Sequence, residues 1–339
     1  MAECRQMNYT LHGTVENRFK GKRSISPVRK HVVAEQKPKI IIVAGPTAAG
    51  KTDVGIRLAE RFHGEIVSAD SVQVYRYMDV GSAKPSREEQ AIVPHHMIDI
   101  RTPDESYSAG EYVRDARKII QDIVERGRVP LVVGGTGLYI RLLRAGMADL
   151  PSADENLRNA LRESEQNEPG SLFTKLSAID PQTALKTGPR NLTRIVRALE
   201  IYEITGKKMS QIYEEHAFRD MPYTFLYLGL TPVRSQLYER IDNRVDSMIE
   251  GGLLDETETL YELGYGRELK SMQSLGYRHA GMILAGEMHL EAATDLLKRD
   301  TRHFAKRQFT WFRSEPDVLW FDPREIKGIG CVVTNFLGA

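Results

Sequence analysis

Cysteine is nearly absent from this 339-residue chain, which has only Cys4 and Cys331. Two thiols near opposite ends are too few for a disulfide framework or a cysteine-built zinc site, and a reducing, cytoplasmic setting is expected. No apolar run approaches the roughly 18 residues that a membrane span needs, which argues against a transmembrane chain. Net charge is missing as well: 47 Lys and Arg against 46 Asp and Glu leave +1. A polyanionic partner would therefore be met by local basic patches rather than by a global field. What is present, 41% hydrophobic and 27% charged residues, is ordinary globular usage. At about 100–200 residues per domain, the length predicts one large domain with a second lobe.

The first 39 residues differ in texture, with nine basic and three acidic side chains and no hydrophobic stretch of the secretory kind. Residues 1–38 read as a flexible basic tail, or as sequence upstream of an alternative start at Met7. Order is expected from Ile40. Ile40–Ala44 is a short apolar run ended by Gly45-Pro46, as a buried parallel strand would be. A helix carrying Val54, Leu58, Ala59 and Phe62 follows, with His63-Gly64 as its expected stop. Strands are predicted at Glu65–Ser68, Met97–Ile100 and Pro130–Val133. A helix between the last two is announced by the capping-box spacing Ser108…Glu111. Strand and helix alternate in this way in a doubly wound parallel sheet. Residues 151–220 are polar, helical in pattern and free of strand-like runs, an expected helical lobe inserted into the α/β domain (39–150 and 221–325). The sheet resumes at Thr224–Leu230, a long helix carries Leu237, Ile241 and Val245, and Val318–Phe321 is a last candidate strand. Residues 326–339 read as a C-terminal tail.

Gly45-Pro46-Thr47-Ala48-Ala49-Gly50-Lys51-Thr52 matches the P-loop pattern between a predicted strand and a predicted helix. Glycines let backbone N–H groups curl around phosphate oxygens, Lys51 supplies a point charge, and the Thr52 hydroxyl can ligate Mg²⁺. The helix dipole points its positive end into the same nest. Such a loop implies a di- or triphosphate ligand without saying what is done to it. Asp70 ends the second strand, so it faces the crevice at the carboxyl edge of the sheet, as a turn residue or as a proton acceptor. The strand at 130–133 ends in Gly134-Gly135-Thr136-Gly137 with no carboxylate, which weakens an ATPase or motor reading. Small residues there permit close approach of a ligand, with the Thr136 hydroxyl as a donor. Arg240 and Arg244 lie four apart on one helix stripe, and Arg244 is the better candidate to reach a diphosphate.

The P-loop, the run Ser68-Ala69-Asp70-Ser71-Val72-Gln73-Val74-Tyr75 and the run Gly134–Tyr139 fall in the order and spacing of the tRNA dimethylallyltransferases, also called tRNA isopentenyltransferases. Arg194–Glu200, Leu275-Gly276-Tyr277-Arg278 and Lys306–Trp311 add further matches, and the resemblance covers about Lys39 to Phe321. It implies a P-loop NTPase-like fold and transfer of a dimethylallyl group from its diphosphate, with Mg²⁺, to the exocyclic amine of the adenosine just 3′ of the anticodon. On that resemblance Asp70 is the base that deprotonates the amine, and Thr47 and the loop through Thr52 cradle the diphosphate. Thr136 touches substrate near the reacting carbon, and Ser71, Val72 and Gln73 contact the tRNA. The helical insert becomes a clamp on the anticodon stem-loop. A bacterial type is expected, because cysteines and length for an added zinc finger are lacking, and a monomer is expected.

Two basic patches suit an RNA partner. Between Lys186 and Lys208 six basic side chains face two acidic ones, with Arg190, Arg194 and Arg197 at helical spacing; between Lys298 and Arg313 six face one, including Lys306 and Arg307. Gln73 and Tyr75 are candidate base-edge or stacking contacts, a core place being equally open to Tyr75. The target base must leave its stack to be modified, so base flipping is expected. Two rival readings remain at this point. An adenylate isopentenyltransferase shares the P-loop and the acid but has less need of the basic insert, and a P-loop kinase would transfer phosphate from ATP.

Overall fold

A computed structural model describes residues 37–148, 150–216 and 221–338; the basic leader through residue 36 lies outside the described residues. The chain opens with β1 (Lys39–Ala44), α1 (Lys51–Arg61), β2 (Gly64–Ala69), α2 (Arg87–Ile92) and β3 (His95–His96). It continues through α3 (Ala109–Glu125), β4 (Val129–Gly134) and α4 (Gly137–Ala145). Five helices follow: α5 (Glu155–Asn167), α6 (Ser171–Ile179), α7 (Pro181–Thr187), α8 (Leu192–Thr205) and α9 (Met209–His216). Then come β5 (Thr224–Leu230), α10 (Arg234–Glu250), α11 (Leu253–Glu262) and α12 (Tyr277–Leu284). The last elements are α13 (Leu290–Arg313), β6 (Val318–Phe321) and α14 (Ile326–Leu337).

The six strands form one sheet in the order β3-β2-β4-β1-β5-β6, with every pairing parallel. Both faces are covered, which is why β1 reads as a continuous apolar run. Ile40, Ile42 and Ala44 enter one cluster with Tyr112, Ile120 and Leu143, while Ile41 and Val43 enter another with Val54, Leu58 and Val333. Because all strands run the same way, the turns after β1, β2 and β4 emerge at one edge, where ligands bind in open α/β sheets.

Helices α5–α9 lie between the β4–α4 unit and β5, and Leu161, Leu172, Leu176, Ile195 and Leu199 give them a hydrophobic cluster of their own. Glu200, with no exposed surface, accepts bonds from the Asp154 N–H, Arg158 and Arg197, so one buried carboxylate ties α5 to α8.

Three expectations need correction. The strand expected at Met97–Ile100 is instead the two-residue β3; Met97 and Asp99 have φ of 65° and 57°, a left-handed backbone that no strand sustains. The left-handed residue after α1 is His63 (φ 52°) rather than Gly64, which already belongs to β2. Glycine is required at 64 for room, since a Cβ would meet the Val129 carbonyl at 2.7 Å. The segment 326–339 is no tail through Leu337 but a helix, because Ile329 and Val333, four residues apart, are fully buried against β1 and β5.

Candidate active site

The turn Gly45–Gly50 joins β1 to α1. Ala48 (φ 61°) and Gly50 (φ 87°) both adopt a left-handed backbone, curling successive N–H groups toward one side in an anion-binding nest. Gly50 caps α1 without a side-chain hydrogen bond, unlike α3 and α5, whose Ser108 and Asp154 accept from the first turn. The first N–H groups of α1 therefore remain for an anion. The Lys51 ammonium donates to the Pro46 carbonyl (2.8 Å). Burial first, then the nearby Arg244 guanidinium, lower its pKa to about 7 against the opposing pull of Asp70. Burial also lowers the pKa of Arg244, with Asp70 and Glu89 opposing. Two crowded, poorly solvated cations mark a place short of negative charge, which a diphosphate would supply.

Asp70 follows β2 directly, at the same sheet edge. Its Oδ1 accepts from the N–H groups of Val72 (2.9 Å) and Gln73 (3.3 Å), leaving Oδ2 for another donor. Thr136, the residue before α4, makes no capping bond; its hydroxyl oxygen instead accepts from the Ser71 N–H (3.0 Å), and its own N–H donates to the Ala69 carbonyl. The Thr136 O–H proton thus remains available to a ligand. Arg244 donates to the Thr47 hydroxyl (3.3 Å), bringing α10 onto the P-loop. Arg240 sits beside Gly50, its Nη1 3.7 Å from where a Cβ would stand. Lys51, Asp70, Thr136 and Arg244 accordingly converge on one crevice.

Two residues of the run Lys306–Trp311 also reach the site. Gln308 on α13 accepts from the Thr47 N–H (2.8 Å) and donates to the Gly135 carbonyl (2.9 Å), joining the P-loop to the turn after β4. Trp311, one helical turn on, packs against Gly137, leaving no room for a Cβ there. Its indole N–H is buried without a partner, and the Arg141 guanidinium lies 3.9 Å over its ring. The i, i+3 spacing of Gln308 and Trp311 was the available signal, since it puts both on one face of a helix.

A family model described as IPP transferase matches residues 73–315, the greater part of the chain. The chain belongs to the IPP transferase family. It is 50% identical over 294 residues to a protein named tRNA dimethylallyltransferase 2 from Geotalea uraniireducens, covering 86% of this chain and 94% of that one. With the tRNA dimethylallyltransferase of Geobacter sulfurreducens it shares 44% identity over 307 residues, 90% of this chain and 99% of the relative. Among solved structures, the tRNA isopentenylpyrophosphate transferase of Bacillus halodurans superposes with a TM-score of 0.67 at 42% identity, covering 89% and 97% of the two chains. A eukaryotic dimethylallyltransferase acting on tRNA gives a TM-score of 0.74 at 30% identity, over 84% of this chain and 74% of that one. These are the relatives of a bacterial-type IPP transferase, with the doubly wound P-loop sheet expected from the sequence.

The remaining IPP transferase residues sort by their partners. Ser71 is exposed and Val72 and Gln73 are half-buried. The Gln73 side chain accepts from Ser68 and donates to the Ala83 carbonyl, and Tyr75 is core, 6% exposed. Arg190 and Arg194 are exposed, whereas Arg197 is spent on Glu200 and the Pro151 carbonyl. In the second patch Lys298 and Arg302 pair with Asp246 and Asp242, while Lys306 and Arg307 are exposed. Among the described residues no group of three or more His, Cys, Asp or Glu could hold a metal. Thr52, the second residue of α1, is half-buried beside the nest, and its hydroxyl is the kind of single protein ligand that Mg²⁺ takes, since Mg²⁺ keeps several waters and few protein ligands. No helix among the described residues is long and apolar enough to cross a membrane.

Proposed function

We propose that this chain is a tRNA dimethylallyltransferase. It transfers the dimethylallyl group of dimethylallyl diphosphate to the N6 amine of the adenosine immediately 3′ of the anticodon, in tRNAs reading UNN codons. The products are N6-isopentenyladenosine and diphosphate. The observation that carries this reading is the convergence, at one sheet edge, of an anion nest flanked by Lys51 and Arg244 with a carboxylate, Asp70, that has an oxygen to spare.

The amine nitrogen attacks the allylic carbon as the carbon–oxygen bond breaks, its electron pair leaving with the diphosphate. The amine proton passes to Asp70 Oδ2. An allylic diphosphate departs readily because the developing cation is delocalised, so the protein has mainly to neutralise the leaving group and hold the nucleophile in line. The N–H groups of Ala48, Gly50 and the uncapped start of α1, with Lys51 and Arg244, serve the first task, and Thr136 with Asp70 the second. Mg²⁺ at Thr52 would supply further neutralisation of the diphosphate when bound. Arg190, Arg194, Lys306 and Arg307 are the side chains offered to the anticodon stem-loop, with the Ser71–Gln73 segment beside the flipped base. The reading places the reaction in the cytoplasm, carried out by a monomer.

The test is incubation with dimethylallyl diphosphate, Mg²⁺ and unmodified tRNA reading UNN codons, followed by mass spectrometry of the released nucleosides. A prenylated adenosine beside the anticodon is expected. Unmodified tRNA together with prenylated AMP, ADP or ATP would instead identify a free-nucleotide enzyme.

A further inference from the structure

The motif Leu275–Arg278 has no place in the reaction above, yet its residues lie against the loop that begins at Asp70. Glu256, in the first turn of α11, accepts from the N–H groups of Asp79 (2.9 Å) and Val80 (2.8 Å) at Oε2 and of Gly81 (3.1 Å) at Oε1. The hydroxyl of Tyr277, first residue of α12, donates to the same Oε1 at 2.6 Å. Burial and then the charge of Glu256 raise the Tyr277 pKa, so the phenol stays a donor. Gly81 lies under the Tyr277 ring, where a Cβ would stand 2.5 Å from a ring carbon.

The far side of this contact leads to the site. Lys84 donates to the Tyr75 carbonyl (3.0 Å) and Gln73 Nε2 to the Ala83 carbonyl (3.2 Å), while the Gln73 N–H donates to Asp70 Oδ1. An unbroken series of hydrogen bonds and short peptide links thus runs from Glu256 to the Asp70 carboxylate. Within the loop, Tyr77 (φ 67°) and Ala83 (φ 48°) are left-handed without being glycine, a conformation that persists only where its surroundings over-determine it.

We infer that Glu256 and Tyr277 are positioning residues: a carboxylate and a phenol that together set the shape of residues 70–84, and through it the aim of Asp70 and the Ser71–Gln73 segment. The inference rests on the proposed tRNA prenylation for its kinetic consequence but not for its structural one, and the two are read separately. Glu256→Ala leaves three N–H groups without their acceptor. Its kcat is expected to fall about 10–100-fold, since small misplacements remote from the chemistry cost that much. The KM for tRNA should rise, because the Ser71–Gln73 segment that meets it is displaced, while that for dimethylallyl diphosphate stays within about twofold, because the P-loop that holds it is untouched. Tyr277→Phe, which removes one hydroxyl, should shift the same parameters less. Glu256→Gln, which retains one acceptor oxygen, should recover part of the loss.

Amide exchange of substrate-free protein completes the test. Faster exchange at residues 70–84 in Glu256→Ala or Tyr277→Phe is expected, without a matching change in β1 or β4. Wild-type kcat in both folded variants, or unchanged exchange in the loop, overturns the inference. If Glu256→Ala does not fold, Tyr277→Phe decides by the same readings. Should wild-type protein prenylate no tRNA while the loop exchange still responds, the functional reading fails and the positioning role stands.

Discussion

Asp70 makes its two hydrogen bonds through one oxygen, and this separates its structural from its chemical duty. Asp70→Asn keeps an oxygen to accept from Val72 and Gln73 but has no basic oxygen left for the amine proton. Turnover should fall about 10²–10⁴-fold, the usual worth of a positioned proton acceptor, with tRNA affinity little changed. Single-turnover rates alongside a binding titration check this, and near wild-type rates would remove Asp70 from the role of base. Lys51 and Arg244 differ from Asp70 in that neither was legible as part of a crowded pair. Helical spacing suggested that Arg244 could reach the diphosphate, but its contact with Thr47 and its electrostatic pressure on Lys51 arise only when α10 packs onto the loop.

Helix α8 shows how one element serves two ends. Its basic residues looked like one stripe, yet Arg194 is exposed and Arg197 turns inward to Glu200. Burial alone would raise the Glu200 pKa, but the bonds from Arg197, the Asp154 N–H and Arg158 outweigh it, and the carboxyl titrates below its ordinary value of 4.5. With a folded pKa below the unfolded one, the stabilisation is complete above the ordinary value and is lost as pH falls through the lowered one. Chemical denaturation between pH 6 and pH 3 should therefore show a loss below about pH 4.5 that is smaller in Glu200→Gln, itself destabilised by about 3 kcal/mol because two arginines lose their charge partner. Arg197→Ala belongs with that stability effect. Arg190→Ala and Arg194→Ala should instead each reduce the salt dependence of tRNA binding by about one unit of log–log slope. Equal slopes in all three variants would mean that exposure does not sort these arginines.

Across the whole molecule, the sheet is what brings the site together, and α14 is part of what keeps the sheet covered. Ile329 and Val333 close the face formed by Ile41, Val43 and Leu228. Ile329→Ala should cost about 2–5 kcal/mol, as such truncations do in packed cores, measured as a lowered urea midpoint with an unchanged slope. An unaltered midpoint would show that the helix adds nothing to the core. No side-chain cap announces the start of this helix, and its i, i+4 apolar pair acquires a meaning only when it meets a surface. The expected strand at 97–100 failed in the opposite way, its apolar residues overruled by the left-handed turns at Met97 and Asp99.

Local order in the chain was enough to dictate the strands β1, β2, β4, β5 and β6, the nest at Gly45–Thr52 and the acid that follows β2. Each of these depends on neighbours in sequence: an apolar run of strand length, a glycine-bearing turn, or a residue type at a fixed step from a strand end. Contacts between segments far apart in the chain had to form before the rest acquired a meaning. Gln308 bridges two turns from 173 and 261 positions away, and Glu256 holds backbone groups some 176 positions earlier. A hydrogen bond of that kind leaves no periodicity behind, because its partners are set by how helices pack on the sheet rather than by spacing along the chain.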